Sequence, residues 1–190
     1  YRAATKLVTY VELVENEHKL DGEFFGKVQE IVKSLEKFSD IPGLKEFSDS
    51  ESIIFKLLRK ISKLRNQNRW VTHVSTVGCS VLAHLFDTAI FSYFMSLEQE
   101  PDNERLATKR FFIGIFHDVP ETWTKDIPSP VKNRIPGFRK ASEDYELKKI
   151  EENMYQVLPS YMAEALKNVM MEDEKNQEHK KLLKGADYLA

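Results

Sequence analysis

Apolar residues recur with the period of an α-helix along most of this sequence, and that pattern decides the fold class. One helix face is formed by Phe24, Phe25, Val28, Ile31, Val32 and Leu35. A second face is formed by Ile53, Ile54, Leu57, Leu58, Ile61 and Leu64. A strand would instead require apolar and polar residues to alternate, and no alternating run with hairpin signals competes. The sequence therefore predicts an all-α protein.

Further helices and one loop are predicted from residue 80 onwards. Residues 80–95 are apolar on most sides, as expected for a helix at the centre of a bundle. The next helix, residues 103–117, ends before Pro120, because the proline ring prevents continuation. Residues 121–137 hold three more prolines and are predicted to form an ordered loop with short turns. Helices are predicted again at about 138–156, 159–171 and 177–190.

Composition and charge limit the classes of partner. The 28 basic and 30 acidic residues give a net charge of −2, so no overall field attracts nucleic acid or an anionic membrane. The most apolar predicted helix, residues 80–95, is also too short to span a bilayer. The single cysteine, Cys79, excludes an internal disulfide and fits a reducing compartment. We therefore expect a cytoplasmic protein that binds neither nucleic acid nor membrane.

A short internal similarity bears on domain organisation. The hexapeptide around Thr5, Arg-Ala-Ala-Thr-Lys-Leu, is similar to the one around Asp187, Lys-Gly-Ala-Asp-Tyr-Leu. Chance similarity of two amphipathic helices explains this equally well. We expect a main domain at residues 49–190, which is long enough for its own core. Residues 1–48 are either helices that complete it or the tail of a preceding related unit, and the start at Tyr1 suggests a piece of a longer chain.

The strongest chemical signal is an apolar run that stops on a histidine and an aspartate. Residues 111–115 would be buried in a globular fold, and His117 and Asp118 follow almost directly. Burying such a pair is costly unless something compensates, and a metal ion is the usual compensation. Neighbouring side chains on a helix diverge by about 100°. The pair can therefore reach one ion only where the helix ends, which is where Pro120 puts it.

Two other residues could complete a site with nitrogen and oxygen donors. His84 lies on the predicted central helix, and Asp187 lies near the end of the sequence. Taken alone, His84 is more often a core histidine bonded to a backbone carbonyl, and Asp187 is more often a cap or a surface carboxylate. With His117 and Asp118 they form a set that suits Mn, Fe, Co or Zn. The other histidines, His18, His73 and His179, have polar neighbours and are expected to be exposed.

The set of His84, His117-Asp118 and Asp187 resembles the H…HD…D signature of the HD-domain metal-dependent phosphohydrolases. Three motifs resemble the bacterial and archaeal 5′-deoxynucleotidase branch of that family: Asn68-Arg69-Trp70, His117-Asp118-x-x-Glu121, and Asp126-Ile127-Pro128-Ser129-Pro130-Val131-Lys132. In that branch an Asn-Arg-Trp precedes the first histidine at this distance, and Asp-x-Pro-(Ser/Thr)-Pro-Val-Lys follows the His-Asp pair. The resemblance covers about two thirds of the chain.

The resemblance implies a helical bundle with a five-helix HD core that removes phosphate from (deoxy)nucleoside 5′-monophosphates. One divalent cation (Mn, Co, Fe or Zn, with Mg allowed) would be held by four residues: His84, His117, Asp118 and Asp187. The cation would activate a water molecule for attack on phosphorus and neutralise phosphate charge. The expected partner is a small-molecule nucleotide, and the resemblance is also compatible with a homodimer.

The resemblance also implies roles for four residues that do not bind the metal. Glu121 would transfer protons, and Asp126 would lie near the sugar and the leaving 5′ oxygen. Arg69 would hold phosphate oxygens with its planar guanidinium, and Trp70 would form a wall against the sugar. The structural alternatives are a packing pair at a helix end for Arg69 and Trp70, a helix cap for Glu121, and a rigid surface loop for the proline-rich motif.

One departure from the family pattern leaves the substrate and the class of function open. Family members usually carry a glutamate five positions before the first histidine, where this chain has Cys79. The predicted metal ligands are intact, so the departure bears on the substrate rather than on the metal. A non-catalytic regulatory module that binds metal or nucleotide, and a phosphodiesterase for another class of nucleotide, stay open as alternatives. The presence of Glu121 and Asp126 favours an enzyme.

Overall fold

The computed structural model describes residues 1–16, 22–41, 43–69, 78–124, 127, 129–175 and 177–190. Within these residues the secondary structure is helical, and the one β feature is an isolated bridge between Asn68 and Ser80. The prediction of an all-α fold is confirmed, and the arrangement fits an HD-domain bundle. The chain divides into two units, Tyr1–Lys60 and Ile61–Ala190. The domain boundary expected after residue 48 stays a prediction.

The first unit is a small helical cluster. Its helices are α1 (Arg2–Glu15), α2 (Gly22–Glu36), α3 (Leu44–Ser48) and the greater part of α4 (Ile53–Ser62). The core consists of Ala3, Tyr10, Val11, Leu35, Leu44 and Phe55. The rings of Tyr10 and Phe55 lie 5.4 Å apart in a tilted contact, so aromatic burial joins α1 to α4. Thr5 is exposed on α1, and its hydroxyl donates to the carbonyl of Tyr1.

The second unit contains the remaining elements, and side-chain caps mark the start of two of its helices. After a 3₁₀ turn (Lys63–Asn66) come α5 (Val81–Gln99), α6 (Glu104–Phe116), α7 (Glu121–Thr124), α8 (Ser129–Arg134), α9 (Phe138–Ile150), a π-helical turn (Glu151–Tyr155), α10 (Ser160–Lys175) and α11 (Gln177–Leu189). The Ser80 hydroxyl accepts from the N–H of Ala83, and the Asn103 side chain accepts from the N–H of Leu106. The predicted loop at residues 121–137 contains two short helices, α7 and α8.

Helices α5 and α6 approach each other closely at Gly114. A methyl group built on Gly114 would lie 2.7 Å from the Cα of Ala89 and 3.0 Å from its nitrogen. These are backbone atoms that cannot rotate away, so only glycine allows this approach. Since His84 lies on α5 and His117 follows α6, the contact sets the distance between the two histidines.

The structure contradicts the expected exposure of one histidine. His179 is only 5% exposed. It shares a face of α11 with Leu182, Leu183 and Ala186, which are also buried, and α11 packs against α5 and α10. The prediction was wrong because polar sequence neighbours lie on other faces of the helix. His18 and His73 lie outside the described residues.

Among the helices that the structure describes, none combines the length and the apolar composition that crossing a bilayer requires.

Candidate metal centre

The four predicted metal ligands lie together in the second unit. One donor atom from each of His84, His117, Asp118 and Asp187 lies within 4.8 Å of the donor atoms of the other three. The residues come from α5, from the turn that follows α6, and from α11. Within the described part of the chain this is the only such group of three or more side chains. The cluster could hold a metal ion.

His84 is almost completely buried, with 1% of its surface exposed. Its Nε2 lies 2.8 Å from Oδ1 of Asp187 and 3.3 Å from the hydroxyl of Thr88. A core histidine of the ordinary kind would bond to a backbone carbonyl, whereas the polar neighbours described for this ring are a carboxylate and a hydroxyl. His84 therefore belongs to the cluster rather than to the general core.

His117 is oriented by the backbone of its own helix. Its Nδ1 lies 2.7 Å from the carbonyl oxygen of Gly114, so the proton on Nδ1 can be donated there. Nε2 then faces the cluster, 3.2 Å from Oδ2 of Asp118 and 3.9 Å from Oδ1 of Asp187. Within the described residues this buried nitrogen makes no hydrogen bond of good geometry. Metal-binding histidines are commonly held in this way, with the second nitrogen bonded to a carbonyl, so the arrangement fits a cation.

Charges inside the cluster shift the pKa values of its members. Burial disfavours the charged form of His117, but the carboxylates of Asp118 and Asp187 outweigh burial and raise its pKa to about 10. Burial likewise opposes ionisation of Asp118, yet the neighbouring His117 holds the pKa of that carboxyl below its usual value. The nearby imidazole of His117 and the close contact with His84 lower the pKa of Asp187. Both carboxylates are therefore ionised at neutral pH, as cation binding requires.

Arg69, which the family motif predicts to bind phosphate, lies beside the cluster. One guanidinium nitrogen, Nη1, is 3.5 Å from Oδ1 of Asp187. The isolated bridge explains this placement, because the N–H of Arg69 donates to the carbonyl of Cys79 and the N–H of Val81 donates to that of Gln67. These bonds tie the segment that carries Arg69 to the start of α5. The half-buried Cys79 is consequently next to Arg69 across the bridge.

Of the remaining predicted functional residues, the structure describes Glu121. Glu121 begins α7 directly after the cluster, and its N–H donates to the carbonyl of Asp118 at 3.0 Å. Its side chain is partly buried. Trp70 and Asp126 lie outside the described residues, so their roles stay predictions.

A cavity of about 720 Å³ extends from the cluster along α9, and sequence reasoning did not predict it. Its lining residues are Ile113, His117, Pro120, Gly137, Arg139, Lys140, Glu143, Asp144, Glu146, Leu147, Ile150, Tyr155 and Met170. Apolar and charged side chains both contribute, as is usual for small-molecule sites. The lining comes from helices that are distant in sequence, so no local pattern could have revealed the cavity.

The fold and the cluster define an all-α protein that could hold a divalent cation between two histidines and two aspartates. The family model for 5′-deoxynucleotidase YfbR-like proteins matches residues 56–190, and the chain belongs to this family. The resemblance to the 5′-deoxynucleotidase branch is thereby confirmed.

Curated relatives carry the same description. The chain is 27% identical over 135 residues to a protein of Yersinia pestis (strain Pestoides F) and to one of Yersinia pseudotuberculosis (serotype O:3, strain YPIII), both named 5′-deoxynucleotidase. Each match covers 68% of this chain and 66% of the relative. The chain thus spans about two thirds of the length of these relatives.

Proposed function

We propose that this protein is a metal-dependent phosphohydrolase that removes phosphate from (deoxy)nucleoside 5′-monophosphates. The observation that carries the proposal is the convergence of two imidazoles and two carboxylates within 4.8 Å, in a chain of the 5′-deoxynucleotidase YfbR-like family. The names of the relatives support the same reaction class.

The four cluster residues, His84, His117, Asp118 and Asp187, would hold one divalent cation. A mixed set of imidazole and carboxylate donors suits Mn, Co, Fe or Zn. Mg is the alternative, but as a hard cation it binds imidazole less well. When bound, such a cation supplies an activated water and neutralises phosphate charge. The cluster fits this role because Nε2 of His117 is buried and aimed at the two carboxylates.

Arg69 would bind and orient the phosphate. Its guanidinium reaches the cluster at Asp187, which places the planar group beside the cation site. The planar fork can donate two parallel hydrogen bonds, which a lysine cannot reproduce. The contact with Asp187 also fixes the guanidinium before the substrate arrives.

Glu121 would transfer the proton of the attacking water. It stands at the start of α7, one residue after Pro120, with its backbone bonded to Asp118. From there its carboxylate can take the proton of the attacking water and return it to the leaving 5′ oxygen. Asp126 would act at the sugar and the leaving oxygen, and Trp70 would form a wall that disfavours a ribose 2′ hydroxyl.

The proposal is tested by measuring phosphate release from ribo- and deoxyribonucleoside 5′-monophosphates. Metal-stripped protein is assayed with Mn, Co, Zn or Mg added. Asp118→Ala is the inactive variant, and Asp102→Ala, in the exposed turn before α6, is the matched control. We expect metal-dependent release that only Asp118→Ala abolishes. No release from any of these substrates by metal-loaded wild type would reject the proposal and favour a regulatory module or another phosphoester.

A further inference from the structure

One carboxylate outside the cluster links α7 and α8 to its own helix, α9, through a single oxygen. Oε1 of Glu146, on α9, accepts hydrogen bonds from the hydroxyls of Thr124 and Ser142, each at 3.2 Å. The ammonium of Lys132 lies 3.6 Å from the same oxygen. Thr124 ends α7, Lys132 lies in α8, and Ser142 is one turn earlier on α9. We propose that Glu146 is a positioning residue that anchors α7 and α8 to α9 and thereby holds Glu121 in place.

The burial of this group makes the anchor strong. The side chains of Lys132 and Glu146 are only 15% and 17% exposed, and Ser142 is buried. An ion pair in such surroundings is screened little by water or salt. Removing one partner would leave a charge without compensation in a poorly hydrated place, which is far costlier than breaking a surface pair. By contrast, the ion pair of Arg139 and Glu143 lies at the surface, where both side chains are about half exposed.

The helix that this anchor holds cannot be stable by itself. α7 has four residues, Glu121–Thr124, and a single helical turn does not form unaided in water. At its start, the N–H groups of Glu121, Thr122 and Trp123 donate to the carbonyls of residues 118–120. At its end, the Thr124 hydroxyl donates to Glu146. The three backbone bonds tie α7 to the candidate metal centre, and the bond from Thr124 ties it to α9.

The anchor and the candidate centre also share the cavity described above. His117, Pro120 and Glu146 all line it, so a shift of α7 would move Glu121 relative to anything bound there. This assigns a role to Lys132, the lysine of the Asp-x-Pro-Ser-Pro-Val-Lys motif. Its partner in the structure is the Glu146 carboxylate, so it acts as an anchor of α8 rather than as a ligand for phosphate.

The inference rests on the proposed function, because holding Glu121 matters only if Glu121 transfers protons. It is tested with Glu146→Ala and Glu146→Gln. The matched control is Glu152→Ala, which removes a glutamate from the π-helical turn after α9 that pairs with Lys148 and Lys149 at the surface. Metal content, kcat, KM, the pH profile and hydrogen exchange are measured for each variant.

We expect Glu146→Ala to keep its metal and its KM while kcat falls by about 100-fold, the loss that a misplacement of about 1 Å can cause. Amides of α7 and α8 should exchange roughly tenfold faster, and those of α11 should not change. Glu146→Gln retains an oxygen for the two hydroxyls and should recover part of kcat without any change in the pH profile. Glu152→Ala should behave as wild type.

Three results would overturn the inference. Unchanged exchange of α7 in Glu146→Ala would show that Glu146 does not anchor it. Faster exchange with full turnover would show that the anchor does not position Glu121. A glutamine variant as inactive as the alanine variant, with an altered pH profile, would make Glu146 itself the proton-transfer group. If wild type hydrolyses no substrate, the proposed function fails, and the positioning role falls with it even if exchange still demonstrates the anchor.

Discussion

Replacing Gly114 with alanine should destabilise the protein, although the same change stabilises most helices. The new methyl group would lie 2.7 Å from the Cα of Ala89, where carbon atoms need about 3.5 to 4.0 Å. Helices α5 and α6 would have to separate by about 1 Å. Overpacking of this kind costs about 1–3 kcal/mol, and contact with rigid backbone puts it at the upper end. The better helix propensity of alanine returns about 1 kcal/mol.

The net effect is a loss of about 2 kcal/mol, the difference between these two contributions. For a chain of this length it corresponds to a fall in Tm of about 4–8 °C. The separation also moves His117, three residues along from Gly114, away from His84 on α5, whose ring centroid lies 5.7 Å from that of His117. We therefore expect weaker metal binding as well as the lower Tm. Thermal unfolding and metal titration of purified variants measure the two effects.

Two other glycines provide matched controls. A methyl group at Gly26, inside α2, meets nothing within 4 Å, and one at Gly185, inside α11, meets only the mobile end of Met95 at 3.3 Å. Gly26→Ala should stabilise the protein by up to about 1 kcal/mol, and Gly185→Ala should be close to neutral. If Gly114→Ala were as stable as Gly26→Ala and bound metal normally, the close contact of α5 with α6 would be refuted.

The remaining predictions concern the candidate centre. Glu121→Gln should keep stoichiometric metal but lose turnover by about 10²- to 10⁴-fold, and a fully active variant would remove its assigned role. Arg69→Lys keeps the charge but not the fork, so KM for nucleotide should rise while metal content, read by elemental analysis, stays the same. In metal-stripped protein His117 has its pKa raised from 6.5 to about 10; its stabilising contribution is complete below pH 6.5 and is lost as the pH rises through 10. The Tm of stripped wild type should fall across that interval, and a decline of equal size in His117→Gln would show another cause.

Helices could be predicted from the sequence because their signals are local. The helices predicted to begin at residues 80 and 103 begin there in the structure, where the side chains of Ser80 and Asn103 cap α5 and α6. The cluster residues were also predicted as one set, since a helix that stops before Pro120 leaves His117 and Asp118 at its end. The structure brings their donor atoms together with those of His84 and Asp187. Their role as metal ligands stays a prediction.

What the sequence could not reveal depends on contacts between distant residues. The need for glycine at position 114 arises from Ala89 on another helix. The burial of His179 arises from the packing of α11 on its neighbours, and its polar sequence neighbours pointed the other way. The anchor at Glu146 joins side chains that lie 14 and 22 residues before it. No periodicity or spacing within one helix carries this information.

The central claim is that His84, His117, Asp118 and Asp187 hold one divalent cation. X-ray anomalous scattering from crystals grown with manganese tests it most directly, because the signal locates the metal without reference to activity. We expect one strong anomalous peak per chain, in contact with all four side chains and absent in Asp118→Ala crystals. A manganese peak elsewhere in the molecule, or none in a well-ordered wild-type crystal, would contradict the account.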